Sequence, residues 1–128
     1  MPRRRPTSAQ CPMDTILRRL MGPWTTYILW LLYSEGPLRF GAIKAKMPDI
    51  SSKVLTDRLR DLESYGLINR DYRPSIPPSV TYSMTARANE LHEVLEGLNM
   101  IALKWANEDA INQDQEHPMM EIMAETQN

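Results

Sequence analysis

The 128-residue chain has one cysteine, two histidines and no apolar run longer than residues 27–33. A lone cysteine excludes an intramolecular disulfide framework. An apolar run of that length cannot cross a bilayer, which needs about 20 residues. The N-terminal arginines are not followed by an apolar segment, so no signal peptide is visible. These absences predict a cytoplasmic protein with no membrane contact.

The chain also lacks recognisable catalytic patterns. It has no Ser/His/Asp or Cys/His set with familiar spacing, and no glycine-rich loop that could cradle a phosphate. His92 and His117 are isolated, and one cysteine with two scattered histidines does not make a metal site. We therefore expect neither an enzyme nor a metal or other cofactor.

The charge is divided unevenly along the chain, although the net charge is only −1. Residues 1–73 hold 13 Lys and Arg against 7 Asp and Glu, whereas residues 74–128 hold 2 against 9. A basic half can meet phosphates, so the near-zero total does not exclude nucleic acid as a partner. The alternative to nucleic-acid binding is that the two halves form differently charged surfaces that contact only solvent. The apolar content of 42% is typical of one domain with a buried core.

The sequence of residues 1–48 predicts a flexible basic arm, residues 1–10, followed by three helices. The first helix carries an apolar stripe that includes Ile16 and Leu20, and it ends at Gly22. The second begins with Pro23 in its first turn, ends at Gly36 and is apolar on nearly every side, which predicts the central buried helix. The third is short and ends at Pro48, with its apolar residues turned inward: Phe40, Ile43 and Met47.

A fourth helix, ending at Gly66, has the clearest pattern. Ser51 or Ser52 can cap its N-terminus, and Ile50 and Leu55 are spaced for a hydrophobic staple if Ser51 is the cap. Leucines at i, i+4 and i+7 define its buried face. The opposite face holds short polar or basic side chains, which is compatible with DNA recognition and equally with a plain solvated surface: Lys53, Thr56, Asp57, Arg60 and Ser64.

Two β-rich runs, residues 67–72 and 80–85, follow this helix and are joined by a proline-rich loop. They predict a hairpin with Arg70 and Arg73 on its loop side. A helix pair followed by a basic hairpin is the order of a winged helix-turn-helix, so we expect a mainly α fold with a small antiparallel β-wing. In such modules the second helix enters the major groove, and a basic wing reaches phosphates or the minor groove.

The rest of the chain predicts one long helix over residues 86–111, interrupted by Gly97, and an acidic Met-rich tail over residues 113–128. The apolar stripe of this helix is longer than a small winged domain needs for its own core. We therefore expect N- and C-terminal dimerisation helices around a DNA-binding module, the whole spanning residues 11–112. The stripe consists of Leu91, Val94, Leu95, Leu98, Ile101 and Trp105.

The series "CP", "WTTYIL", "GPLRF", "ISSKVLTDRLRDLESYGLINR" and "YRPSIPPSVTYSMT" resembles the HxlR-type (MarR-like) bacterial transcription regulators over roughly residues 11–105. The resemblance implies a homodimeric winged-helix protein of the bacterial cytoplasm and nucleoid that binds operator DNA, usually as a repressor. Four positions depart from the usual family pattern, where a lysine, a glycine, an acidic residue and a glycine are common: Pro23, Asp49, Thr81 and Ala88.

Several residues are candidates for DNA contact. The phosphate-binding candidates are Arg39, Lys44, Lys46 and Arg73, with Arg3, Arg4 and Arg5 as an arm into a groove. The candidates on the recognition helix are Ser51, Ser52, Lys53, Thr56, Asp57 and Arg60. Arg58 lies nearer the helix flank, where it can either contact DNA or pair with Glu63 or Asp61. A dimer places two such helices about 34 Å apart and predicts an inverted-repeat operator.

Cys11 stands at the predicted N-terminus of the first helix. A helix dipole and nearby cations favour the thiolate, and Arg18 and Arg19 follow, but Asp14 is closer and opposes them. The residues alone favour a small buried side chain. The family resemblance implies a sensor of oxidants or electrophiles, which would act through a disulfide across the dimer or through capping of the thiol.

Two other functional hypotheses stay open. One is a winged-helix protein-interaction module that does not bind DNA, which would suit the acidic C-terminal half and Asp49. The other is a regulator without thiol sensing, which responds to a small ligand held between the central and dimerisation helices. Its site would lie near Trp24, Trp30 and Trp105. The effector, whether oxidant, electrophile or ligand, is not specified by the sequence.

Overall fold

The computed structural model describes residues 11–116, with side chains as far as residue 114. The predicted basic arm and residues 117–128 of the predicted tail lie outside the described residues. The described chain forms two compact units, one ending at His92 and the other beginning at Glu93. Its helices and strands are α1 (Pro12–Leu20), α2 (Thr25–Glu35), β1 (Leu38–Arg39), α3 (Phe40–Lys46), α4 (Ser52–Ser64), β2 (Ile68–Arg73), β3 (Ser79–Met84), α5 (Ala86–Asn89) and α6 (His92–Glu116).

The core of the first unit is built around α2, as predicted from its apolar sequence. Ile28 and Leu29 have no exposed surface, and Ile43 of α3 is equally buried. Each such aliphatic side chain contributes about 1.5–3 kcal/mol through its removal from water. The leucines of α4 complete this cluster: Leu55, Leu59 and Leu62.

The wing is a three-stranded antiparallel sheet in the order β1-β3-β2. Strands β2 and β3 form the predicted hairpin, with a register that runs from Ile68 opposite Met84 to Arg73 opposite Ser79. The two-residue strand β1 pairs with the other edge of β3, with Leu38 opposite Tyr82. The structure therefore confirms the winged helix-turn-helix fold and adds a strand that the sequence did not predict.

The start of α2 differs from the prediction. Trp24 has φ 71°, in the left-handed region, and the helix begins only at Thr25. A left-handed residue interrupts the helical backbone, so Pro23 belongs to the linker and not to the first turn. A hydrogen bond from the Thr26 hydroxyl, in the first turn of α2, to the carbonyl oxygen of Leu20 connects α2 to the end of α1.

The single helix predicted over residues 86–111 is divided into α5 and α6. Thr85 caps α5, since its hydroxyl oxygen accepts a hydrogen bond from the Ala88 amide at 3.0 Å. The same hydroxyl donates to the carbonyl oxygen of Gly66 at 2.8 Å, and the Thr85 amide donates to Leu67. Thr85 thus joins the base of the wing, the end of α4 and the start of α5.

Candidate nucleic-acid interface

Helix α4 is capped, and packs on the core, as the sequence predicts. The hydroxyl oxygen of Ser51 accepts a hydrogen bond from the Val54 amide at 3.1 Å, so Ser51 is the N-cap. At the other end Gly66 has φ 75°, which glycine adopts without strain, and the Leu67 amide donates to the carbonyl of Leu62. Both ends of α4 are therefore satisfied by local hydrogen bonds, and its orientation on the core is fixed by the buried leucines.

The face of α4 away from the core is polar and accessible. The hydroxyl of Thr56 is half-buried and donates to the carbonyl of Ser52 at 2.8 Å, which leaves its lone pairs available as acceptors. Ser51 is exposed, although its oxygen is used in the cap. The other candidate residues of this face are all exposed: Ser52, Lys53, Asp57 and Arg60.

Arg58 lies on the flank of α4, as predicted, and does not belong to this face. Its Nε donates to the carbonyl oxygen of Pro23 at 3.1 Å, and its Nη1 lies 3.3 Å from Oδ2 of Asp61. Of the two expected acidic partners, Asp61 and Glu63, the structure selects Asp61. Arg58 therefore positions α4 against the linker between α1 and α2.

The structure places one further arginine beside α4. Arg70 of β2 and Arg60 of α4 line a cleft of about 290 Å³ between the helix and the sheet. Arg70 was recognised in the sequence as a wing residue but was not included among the candidate contacts. The strand alternation could have identified it, because Arg70 lies two residues after the buried Ile68 and thus on the same face of β2.

The remaining basic candidates lie around the winged domain. Arg73, at the end of β2, is exposed and pairs with Asp71, with 3.2 Å between its Nε and the carboxylate. Arg39 is exposed in β1 and Lys44 is half-buried in the last turn of α3. Lys46 forms an ion pair with Glu35 of α2 at 2.7 Å, so its charge is partly neutralised within the chain. The arm arginines Arg3, Arg4 and Arg5 fall outside the described residues.

Cys11 is the N-cap of α1 and is half-buried, with Pro12 as the first helical residue. The two arginines that were expected to favour its thiolate have other partners. Arg18 forms an ion pair with Asp14 at 2.8 Å, and the Arg19 guanidinium lies 5.0 Å from the centroid of the Tyr65 ring. The thiol is therefore at an accessible position, and neither Arg18 nor Arg19 is committed to stabilising its thiolate.

Helix α6 presents exposed apolar residues in the second unit. Its backbone remains helical through Gly97, and a Cβ built there would meet nothing within 4 Å. The exposed members of the predicted stripe recur at i, i+4, i+7 and i+11 on one face of the helix: Val94, Leu98, Ile101 and Trp105.

Within residues 11–116, no helix is both long and apolar enough to cross a membrane. The same residues contain no group of three or more His, Cys, Asp or Glu side chains placed to hold a metal ion. The ligand site suggested near the three tryptophans stays a prediction. In the first unit, the Trp30 and Tyr33 rings pack together with 5.9 Å between centroids.

The order of helices, the exposed face of α4 and the adjoining wing define a winged helix-turn-helix protein. The profile of the HxlR-like helix-turn-helix family matches residues 19–110. The chain belongs to this family and is a transcriptional regulator, not an enzyme.

Individual relatives agree with this assignment. A helix-turn-helix transcriptional regulator of Synechocystis sp. is 38% identical over 100 residues, which cover 78% of this chain and 73% of that protein. The oxidised form of the redox regulator HypR is similar in structure, with a TM-score of 0.69 and 26% identity over 73% of this chain and 96% of that one. The reduced regulator YodB from B. subtilis gives a TM-score of 0.64 and 32% identity over 72% and 90%.

Proposed function

We propose that this protein binds double-stranded operator DNA as a homodimer and represses transcription, with α4 in the major groove and the β2–β3 wing on the flanking backbone. The observation that carries the proposal is the polar face of α4, held outward by a complete N-cap and a fully buried leucine face. A helix presented in this way can offer donors and acceptors to base edges without rearrangement. The functional module spans residues 11–112, and its expected location is the bacterial cytoplasm and nucleoid.

The arginines of β2 support contact with phosphates beside α4. Arg70 lines the cleft between helix and sheet, and Arg73 extends the basic surface toward the wing tip. Each cation that neutralises a phosphate releases a counterion, so these residues supply affinity that falls as salt rises. The exposed residues of α4 discriminate between bases: Lys53 or Arg60 can donate to guanine, and Asp57 can accept from cytosine.

The exposed apolar stripe of α6 supports the homodimer. Isolated apolar side chains are normal on a surface, but a contiguous row on one helix face marks a site of association. Gly97 lies at the edge of this face and leaves room for the backbone of a second helix to approach. A two-fold dimer pairs two copies of α4 and predicts an inverted-repeat operator.

Cys11 is the proposed switch. The position is half-buried at the start of α1, and the redox regulators HypR and YodB share the fold. Oxidation would join two Cys11 thiols across the dimer with loss of two protons and two electrons to the oxidant, provided that their Cα atoms come within about 7 Å. Capping by a small thiol is the other route. Either product disturbs α1 and thereby the geometry of the dimer.

The test is a fluorescence anisotropy titration of the DNA upstream of this protein's own gene, with the native chain and Cys11→Ser side by side. We expect salt-dependent binding by both proteins when reduced, and loss of binding after mild oxidation with diamide in the native chain alone. Equal behaviour of the two oxidised proteins would remove the switch and keep the regulator. Failure to bind any DNA at low salt, including a random-sequence pool, would favour the protein-interaction module instead.

A further inference from the structure

The first unit contains a cavity that the proposed DNA contacts do not use. It lies between α1, the C-terminal end of α4 and α5, and its volume is about 530 Å³. Small-molecule sites in proteins have volumes of about 300–1,000 Å³, so the space suits a small organic compound. It lies apart from the exposed face of α4 and from the cleft beside Arg60.

The inner wall of the cavity is aliphatic. Leu20 of α1 and Leu67, which follows the end of α4, are buried side chains that line it. Ile16 and Leu91 complete the apolar lining and are partly open to solvent. A hydrocarbon or aromatic group placed against these four residues would remove apolar surface from water on both sides of the contact.

Two arginines supply the positive charge of the lining, against a single carboxylate. Arg19 and Arg87 line the cavity together with Glu90. Within residues 11–116 neither arginine forms an ion pair with an acidic side chain. Arg19 is instead held over the Tyr65 ring, which fixes its guanidinium beside the cavity. An arginine oriented in this way can donate two hydrogen bonds to one carboxylate or sulfonate.

We propose that this cavity binds a small organic anion with an apolar body, such as a carboxylate or sulfonate carried on a hydrocarbon or aromatic group. The apolar body lies against Leu20 and Leu67, and the acid group pairs with Arg19 and Arg87. The excess of positive charge in the lining selects an anion over a cation, and the aliphatic wall selects an amphipathic anion over inorganic phosphate.

The cavity is placed to affect DNA binding. Tyr65 is the C-cap of α4, and Leu67 connects α4 to the first strand of the wing. A bound anion contacts both, so it acts on the joint between the recognition helix and the wing. This regulatory consequence rests on the proposed DNA-binding function, whereas the binding of the anion does not.

The test uses 8-anilino-1-naphthalenesulfonate, a fluorescent anion with an aromatic body, and the full chain. We expect the double variant Arg19→Gln/Arg87→Gln to bind the probe at least tenfold more weakly than the native protein. Arg18→Gln is the matched control, because Arg18 is adjacent in α1 but pairs with Asp14 outside the cavity. Glu90→Gln should bind the probe more tightly, and it must show the same circular dichroism spectrum and urea midpoint as the native chain, because a partly unfolded protein also binds this probe.

Competition then tests the chemical class. Decanoate should displace the probe at a concentration at which decanol, of the same chain length but uncharged, does not. Three results would each overturn the site. They are equal displacement of the probe by decanoate and decanol, equal probe affinity of the double variant and the native chain, and no binding of the probe to the native protein. Decanoate should also change DNA affinity in the native chain and not in the double variant. If the native chain binds no DNA, the proposed function fails while the probe titration still decides the site.

Discussion

The Nε of Arg58 on α4 donates to the carbonyl oxygen of Pro23, 3.1 Å away and 35 positions earlier in the chain. This hydrogen bond attaches α4 to the linker that follows α1, and the contact to Asp61 holds the Arg58 side chain on the helix. The linker also contains Trp24 in a left-handed conformation. A displacement of α1 can therefore be transmitted to the middle of α4 through the linker and this hydrogen bond.

Replacing Arg58 should destabilise the fold. Arg58→Gln removes a charge-assisted hydrogen bond to the exposed carbonyl of Pro23, so we expect a loss of about 1 kcal/mol in the free energy of unfolding. The control is Arg60→Gln, two residues further along but exposed, for which we expect a change within about 0.5 kcal/mol. Urea denaturation followed by circular dichroism measures both, and equal stabilities would show that the contact does not hold α4.

A second prediction concerns the stability that the N-cap of α4 contributes. Ser51→Ala removes the acceptor of the Val54 amide and should cost about 1 kcal/mol of stability, while Ser51→Asp should retain most of it. Ser52→Ala serves as the control, since the cap hydrogen bond comes from Ser51 and not from its neighbour. The same urea titration applies. A larger loss in the Ser52 variant would place the functional cap one residue later.

Arg60 and Arg73 should affect DNA binding in different ways. Arg60→Ala should lower operator affinity by about 1–3 kcal/mol and relax sequence preference, because a base contact is lost. Arg73→Ala should weaken operator and random DNA alike and reduce the slope of log affinity against log salt by about 1. Anisotropy titrations at several salt concentrations separate the two effects. Lys104→Ala in α6 is a control that should leave both quantities unchanged.

The stripe on α6 should control association. Leu98→Glu places a charge in the middle of the apolar face, where pairing with a second copy would bury it without a partner. We expect this variant to be monomeric at concentrations where the native protein is a dimer. Gln113→Glu adds the same charge outside this face and away from the other exposed apolar residues of α6, so it should leave the dimer intact. Sedimentation velocity gives the masses directly, and a native monomer at all concentrations would contradict the proposed assembly.

The features that the sequence predicted well are those with a local cause. Ser51, the leucines of α4 and Gly66 specify where that helix begins, which face it buries and where it ends. Each signal acts within a few residues through capping, helical periodicity or a positive φ. The DNA roles assigned to the outward residues of α4 stay predictions, because an exposed polar face has the same pattern whether or not it binds DNA.

The features that were missed have no clear signal in the local sequence pattern. Strand β1 is only two residues long and exists because Leu38 and Arg39 pair with β3, more than forty residues later. The division between α5 and α6 lies where the amides of Glu90 and Leu91 donate three residues back, to the carbonyls of Arg87 and Ala88, instead of continuing the α-helical pattern. Pro23 was placed in the first turn of α2 on a general preference of proline, which the left-handed Trp24 overrides.

The hydrogen bonds of Thr85 also bear on how operators can vary. Its side chain and amide connect the wing, the end of α4 and α5, so the angle between recognition helix and wing is set within each protomer. In the proposed DNA complex, each half-site must then match a helix and wing whose spacing is fixed. Tolerance to insertions or deletions in an operator has to come from the centre of the repeat, where the two protomers can shift relative to each other, and not from within a half-site.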